Sequence, residues 1–106
     1  MNKRLSLVQG ETDYRNRHMT FWAREWKNNH MLRDYTVEDN SPDTRTHKVF
    51  HALDEICSAF DLTHPQWLES TIRDFKKHSR CRFTQDCFVG EEIEFDYLEF
   101  QVLEED

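Results

Sequence analysis

Glycine and proline are scarce in this chain, with two of each among 106 residues. Phosphate-binding loops of the GxGxxG and Walker A types need clustered glycines, so the sequence excludes both. So few chain-breaking residues also argue against long structureless loops in the middle of the chain. No apolar run approaches the roughly 18 residues of a membrane span, and the opening "MNKRLSLVQGETDY" lacks a secretory hydrophobic segment. We therefore expect neither membrane insertion nor export.

Basic residues are outnumbered, because 14 Lys and Arg face 21 Asp and Glu, for a formal net charge of −7. Nucleic-acid binders owe most of their affinity to neutralised phosphates, so a general nucleic-acid binder is disfavoured, as is attachment to an anionic membrane. Cysteine is also sparse, and three thiols without paired spacing fit a reducing cytosol better than a disulfide framework. We expect a cytoplasmic protein.

The chain does contain enough apolar residues for one hydrophobic core. It is 37% apolar and 33% charged, and it has eight Phe, three Trp and three Tyr. At this length, folding buries roughly 65% of the surface of the unfolded chain, as expected of one domain. Residues 1–17 are polar and are predicted to form an arm or a weak edge strand, whereas residues 18–106 are predicted to form a single α+β domain.

The stretch "HMTFWAREWKNNHMLRDYTVE" has the alternation of β-strands. One face carries Met19, Phe21 and Ala23. Trp22 and Trp26 fall on the opposite face. Two consecutive asparagines between the alternating pieces tolerate the positive φ of a tight turn. The pattern predicts a β-hairpin with 19–26 paired to 31–38.

The period then changes to that of amphipathic helices. The first helix is predicted over 43–60, capped by Ser41 or Asp43 with Pro42 in its first turn. Its apolar stripe comprises Val49, Phe50, Leu53, Ile56, Cys57 and Phe60. A second helix is predicted over 66–78 after a start signal at Thr63 and Pro65. Its apolar arc comprises Trp67, Leu68, Ile72 and Phe75.

The connector "SRCRFTQDCFVGE" is expected to carry a short extended piece. In "EIEFDYLEFQVLEED" the apolar residues change parity between Tyr97 and Leu98, so either a strand has a bulge there or a loop runs to Asp96 and the strand begins at about 97. The order ββααβ predicts an α+β fold, in which an antiparallel sheet of the N-terminal hairpin and the C-terminal strand is packed by two α-helices.

Three potential metal ligands, His47, His51 and Glu55, recur every four residues on the first helix. On a helical wheel they point away from the apolar stripe. A tetrahedral site there would need ligands from another element, because one helix face supplies too few of them. We interpret these residues as the solvated side of the helix. The alternative is a site completed by a second subunit at a dimer interface.

A second set of potential ligands is His78, Cys81 and Cys87, which has neither a CxxC pair nor a fourth ligand in register. Neighbouring Arg80 and Arg82 could lower the pKa of the Cys81 thiol and make it nucleophilic if it is exposed. A buried, ordinary thiol is the preferred interpretation. No set of residues supports catalysis, and no metal or cofactor is predicted.

The one basic cluster is Lys76, Lys77, His78, Arg80 and Arg82. It could bind phosphate, a nucleic-acid end or an acidic partner. It could instead balance the acidic tail "EEIEFDYLEFQVLEED", residues 91–106, within the fold or across a dimer. We prefer the second interpretation, since opposite charges on one small acidic protein most simply satisfy each other.

The segments "DTRT", "LDEIC", "WL" and the closing "FDYLEFQVLEED" resemble motifs of short uncharacterised proteins from gut and soil Firmicutes. The resemblance covers about residues 31–106 and implies one bacterial cytosolic domain. That family has no assigned activity, so the resemblance implies no catalytic or binding residue.

The leading hypothesis is protein association or regulation, with the protein acting as a homodimer. Trp22, Trp26 and Tyr35 are the predicted partner-binding residues, because so small a chain cannot cover both faces of its own sheet. The alternative is a metal- or thiol-dependent enzyme using His78, Cys81 and Cys87. A further alternative is nucleic-acid or phosphate binding through the basic cluster 76–82.

Overall fold

The computed structural model describes residues 18–105, which form a four-stranded antiparallel sheet and two α-helices. The elements are β1 (Met19–Lys27), β2 (His30–Asp39), α1 (Arg45–Phe60), α2 (Glu69–His78), β3 (Arg80–Thr84) and β4 (Tyr97–Glu105). The strand order is β2-β1-β4-β3. The predicted α+β fold is therefore confirmed, with one strand more than expected. The predicted arm, residues 1–17, lies outside the described residues.

The N-terminal hairpin is confirmed and is slightly longer than predicted. Asn28 and Asn29 form the turn with φ angles of 51° and 66°. Positive φ at both central positions is what a tight hairpin turn requires, and asparagine tolerates it better than most residues. The pairing shifts register between Glu25 and Trp26, so that Trp26 lies opposite Met31.

Helix α1 begins at Arg45 rather than at residue 43, and its N-cap is Thr44. The Thr44 hydroxyl accepts a hydrogen bond from the His47 N–H at 3.3 Å. Asp43 does not cap, because its Oδ1 already accepts from the Thr44 N–H at 2.8 Å and lies 2.8 Å from His47 Nδ1. Ser41 and Pro42 both lie outside the helix.

Helix α2 begins at Glu69, three residues later than predicted. The preceding segment is not helical, and the Gln66 N–H donates to the carbonyl of Cys87 at 2.8 Å. That bond ties the approach to α2 to the loop after β3. Trp67 therefore packs against the sheet and does not lie on a helix face. Its ring contacts the ring of Phe83 edge-on at a centroid distance of 5.0 Å.

The change of parity between Tyr97 and Leu98 does not reflect a bulge there. Strand β4 begins at Tyr97, and a loop occupies the residues up to Asp96, as in the second of the two predicted alternatives. Phe95 belongs to that loop and packs edge-on against Phe88 at 5.9 Å. The connector before it holds β3, which pairs with β4 at the edge of the sheet. The predicted extended piece is thus a genuine strand.

The core lies between the two helices and one face of the sheet. From the sheet it takes Met19, Phe21, Ala23, Val37, Cys81, Phe83, Leu98 and Phe100. From α1 and α2 it takes Val49, Phe50, Ala52, Leu53, Ile56, Cys57, Phe60 and Phe75. Neither helix within residues 18–105 combines the length and the hydrophobicity that a membrane span requires.

Candidate interaction surface

The sheet face opposite the helices is built from residues that alternate with the core residues. Strand pairing arranges them in cross-strand rows: Thr36, Trp22, Gln101 and Arg80; then Asp34, Arg24, Glu99 and Arg82; then Met31, Trp26, Tyr97 and Thr84. We call these residues the open face. The described side-chain contacts of Trp22, Arg24 and Trp26 are with other sheet residues, so none of these contacts involves a helix.

Arg24 is the centre of the open face. Its Nη2 lies 2.9 Å from Glu99 Oε1 and donates to Gln101 Oε1 at 2.7 Å. The guanidinium carbon lies 3.8 Å from the ring centroid of Trp22, in a cation–π arrangement. The side chain is only 14% exposed, and in the part of the chain that the structure describes its Nε has no hydrogen-bond partner. Arg24 therefore connects Trp22, Glu99 and Gln101 in the middle of the open face.

The two tryptophans are held by hydrogen bonds from their indole N–H groups. Trp22 Nε1 donates to Asp34 Oδ2 at 2.7 Å, and Trp26 Nε1 donates to Glu99 Oε1 at 3.0 Å. Both side chains are half-buried. Because the rings are already fixed, a partner that packs on them loses little side-chain entropy on binding.

Charge is distributed unevenly across the open face. Asp34 lies on β2 at one edge, whereas Arg80 and Arg82 lie on β3 at the other. Arg82 sits over the ring of Tyr97 at 4.4 Å, and Arg80 Nε is 4.0 Å from Glu99 Oε2. The open face is therefore negative along β2 and positive along β3.

Tyr35 does not join Trp22 and Trp26, although all three are predicted partner-binding residues. It pairs with Ala23 and lies on the face that the helices cover. Its ring packs edge-on against Phe60 at 6.2 Å, and its hydroxyl donates to Glu55 Oε2 at 3.0 Å. That hydrogen bond and the charge of Glu55 raise the pKa of Tyr35 above its usual value. A partner-binding role for Tyr35 remains a prediction.

The predicted basic cluster is divided between two surfaces. Lys76 and Lys77 are exposed on α2, whereas Arg80 and Arg82 extend from β3 onto the open face. Arg80 contacts Glu99 of the acidic tail, so one basic residue of the cluster pairs with an acidic residue of the tail within the fold. A cleft of about 280 Å³ is lined by Asp74, His78, Arg80, Cys81, Arg82 and Glu99.

The helical stripe of potential ligands is exposed, as predicted for a solvated side. His47 Nδ1 contacts Asp43 Oδ1 at 2.8 Å, while His51 Nδ1 lies 3.9 Å from Asp43 Oδ2. Partial burial alone would raise the pKa of Asp43, but the hydrogen bonds from His47 and Thr44 outweigh it and hold the pKa below its usual value. Across residues 18–105, no cluster of His, Cys, Asp and Glu has a metal-binding arrangement.

A histidine–carboxylate pair that sequence reasoning missed lies in another cleft, of about 550 Å³. His64 Nε2 is 2.6 Å from Asp54 Oδ1, and His64 Nδ1 is 3.3 Å from the carbonyl of Pro65. Both ring nitrogens of His64 therefore lie against oxygen atoms of the protein itself. The other lining residues, Pro65, Gln66 and Trp67, supply no nucleophile. No sequence signal pairs His64 with Asp54, because one residue lies on α1 and the other in the following loop.

All three cysteines are buried and free. Burial, helped by Asp54 and Glu91, raises the pKa of Cys57 to about 12. Burial likewise raises the pKa of Cys81 well above its usual value. Arg80 and Arg82 do not activate this thiol, since both extend to the opposite face of the sheet. The arrangement is that of structural thiols rather than nucleophiles.

We expect the native cysteines to resist a thiol reagent at pH 8. With a pKa of about 12 instead of 9.0, Cys57 has about a thousandfold less thiolate, the reactive form. The raised pKa of Cys57 also makes the free energy of unfolding depend on pH, because the folded state favours the neutral thiol. The stability that Cys57 contributes is complete below pH 9.0 and is lost as the pH rises toward 12. Ellman's reagent should label three thiols only after denaturation.

Ser58→Cys provides the matched control for that measurement, because Ser58 is exposed and adjacent to buried Cys57. Its new thiol should react at once in the native protein. A rapid native reaction that Cys81→Ser abolishes would instead favour the thiol-dependent enzyme.

No family model matches the chain, and no curated protein or solved structure is similar to it. The resemblance to short Firmicutes proteins therefore stays a prediction. The function must be argued from the geometry of the described residues.

Proposed function

We propose that the protein acts in the cytoplasm by protein association, as a homodimer that packs through the open face. The observation that carries this proposal is the prearranged layer of Trp22, Trp26, Tyr97 and arginine side chains. Trp, Tyr and Arg are the residues most enriched where protein interfaces gain their binding energy. Three buried free thiols are consistent with a reducing compartment.

Protein is a better partner for this surface than a single-stranded nucleic acid. Base stacking needs an uncovered aromatic face, but the guanidinium of Arg24 already lies over the ring of Trp22. The carboxylate of Glu99 lies among the arginines and would repel a phosphate. The net charge of −7 adds to that repulsion.

The enzyme alternative is less well supported. Cys81 and Cys87 are buried, and His78 lies on the surface of α2. The raised pKa of Cys81 removes the thiolate that such chemistry needs. The proposal accordingly assigns no catalytic residue and no cofactor.

The test is the mass in solution over a range of concentrations, measured by sedimentation equilibrium. The 13.0 kDa chain should approach twice that mass at high concentration. Trp22→Ala with Trp26→Ala should abolish the increase. Thr36→Arg should do the same without removing a described side-chain contact, because Thr36 is exposed on the open face.

Val89→Ala is the control, since Val89 is exposed and lies in a loop that is not part of the open face. It should leave the mass unchanged. A wild-type chain that stays monomeric at every concentration would refute the homodimer. A dimer that Thr36→Arg leaves intact would refute the open face as its interface.

A further inference from the structure

The middle row of the open face alternates in charge from one edge of the sheet to the other. In strand order it reads Asp34 on β2, Arg24 on β1, Glu99 on β4 and Arg82 on β3. From β2 to β3 the signs of the row are negative, positive, negative, positive. If a second copy faces this row with its strands in the reverse order, every charge lies opposite a charge of the other sign. The open face therefore carries the charge pattern of a self-complementary surface.

Symmetry determines how a second copy can use that pattern. When two sheets pack face to face about a two-fold axis parallel to their strands, strand order is reversed while position along each strand is kept. Strand β2 then lies over β3 of the partner, and β1 lies over β4 of the partner. Every row faces the same row of the other copy, so the register is fixed without further assumptions.

This arrangement pairs opposite charges throughout the middle row. Asp34 faces Arg82 of the partner subunit, and Arg24 faces Glu99 of the partner subunit. The two-fold axis repeats both contacts. In the next row Trp26 faces Tyr97 of the partner subunit, so the aromatic pair packs beside the charged row.

An axis perpendicular to the strands does the opposite. It places each strand over its own copy, so that Asp34 faces Asp34 of the partner subunit and Arg82 faces Arg82 of the partner subunit. Like charges in direct opposition are unfavourable across an interface.

The area of the open face sets the expected strength. Strands of nine residues extend about 30 Å, and four strands span about 19 Å, which gives a footprint of about 500 Å² once the shorter β3 is allowed for. This is below the roughly 800 Å² per partner of a standard interface. A reversible dimer of micromolar affinity is the expected result.

We infer that the partner of the open face is a second copy of this chain, bound about a two-fold axis parallel to the strands with Asp34 against Arg82 of the partner subunit. This inference rests on the proposed function. It adds the orientation of the two copies and the contact that fixes it.

Charge reversal tests the contact. Arg82→Glu places Glu opposite Asp34 of the partner subunit, and Asp34→Arg places Arg opposite Arg82 of the partner subunit. Each variant alone should dimerise at least about tenfold more weakly than the wild type, because each creates like-charge pairs. In an equimolar mixture the reversed residues oppose each other, so the mixed dimer should regain affinity within about threefold of the wild type. Sedimentation equilibrium with one variant fluorescently labelled measures all three.

The circular dichroism of each variant checks that it is folded, and mixing adds a test that loss of folding cannot imitate. Recovery on mixing supports the inference. A wild-type dimer that Thr36→Arg disrupts, but whose affinity is unchanged by the reversals or is not recovered on mixing, overturns this orientation and leaves the proposed function standing. A monomeric wild type, or a dimer indifferent to Thr36→Arg, overturns both.

Discussion

Replacing Arg33 with alanine is expected to lower the free energy of unfolding by about 3 kcal/mol, because it leaves a carboxylate buried without its partner. Glu25 is 4% exposed at its side chain, and its two oxygens accept from Arg33 Nε and Nη2 at 2.9 and 3.0 Å. The estimate lies at the low end for a buried pair, since Arg33 itself is about half exposed and water can enter once it is gone.

Arg33 also connects the sheet to the end of α1. Its Nη2 donates to the carbonyl of Phe60 at 2.9 Å, and its guanidinium carbon lies 4.3 Å from the centroid of the Phe60 ring. The last carbonyls of a helix have no partner within the helix. Loss of Arg33 therefore removes a cap from α1 together with the ion pair that joins β2 to Glu25 on β1.

Urea denaturation of Arg33→Ala, followed by circular dichroism, measures the loss. Arg73→Ala is the matched control, because Arg73 is exposed on α2 and has no described partner, so it should change stability by less than about 0.5 kcal/mol. Adding Glu25→Gln to Arg33→Ala should restore part of the stability by removing the buried charge. Equal effects of Arg33→Ala and Arg73→Ala would contradict the buried-pair interpretation.

Replacing Phe100 with alanine is expected to cost about 4 kcal/mol, within the range for a buried phenylalanine. Phe100 is 0% exposed and lies on central strand β4. Its ring stacks between Phe21 and Phe75, each at a centroid distance of 5.7 Å. Trp67 packs edge-on against it at 6.4 Å. A cavity there removes contacts with the sheet and with α2 together.

Thermal or urea unfolding of Phe100→Ala measures that cost. Leu103→Ala is the control on the same strand, because Leu103 is 47% exposed and should cost well under about 1 kcal/mol. Phe100→Leu should fall between the two, since it keeps part of the volume. A loss below about 1.5 kcal/mol for Phe100→Ala would mean that neighbouring rings collapse into the space.

The sequence predicts those elements whose signals are local. Alternation together with Asn28 and Asn29 predicts the hairpin, and a long apolar stripe predicts α1. The bulge near the end of β1 is a feature that local sequence patterns do not predict. The bulge after Glu25 places Met31 opposite Trp26, while Tyr35 stays opposite Ala23, so residues that alternate in sequence do not share one face. Tyr35 therefore lies on the face that the helices cover, and not beside Trp22 and Trp26.

The other features that the sequence does not predict depend on residues that pair across the fold. Strand β3 has five residues, of which only Cys81 and Phe83 are buried, so its pattern is too short to distinguish it from a loop. The pairing of Glu25 with Arg33 and that of His64 with Asp54 follow from the fold and have no motif. The open face was predicted through Trp22 and Trp26, but its arginines could be placed only once β4 and β3 were paired with β1.

The position of β1 and β4 side by side at the centre of the sheet has a consequence for how the chain folds. Thr20 and Glu104, which are bonded across this pair, are 84 positions apart in sequence. The hairpin of β1 and β2 can close within about 10 μs, but the central pair requires the whole intervening chain to be brought together first. Closing so long a segment is slow, and the sheet gains its third strand only when β4 arrives. Formation of the complete sheet should therefore be late and cooperative, with one edge of β1 unpaired until β4 docks.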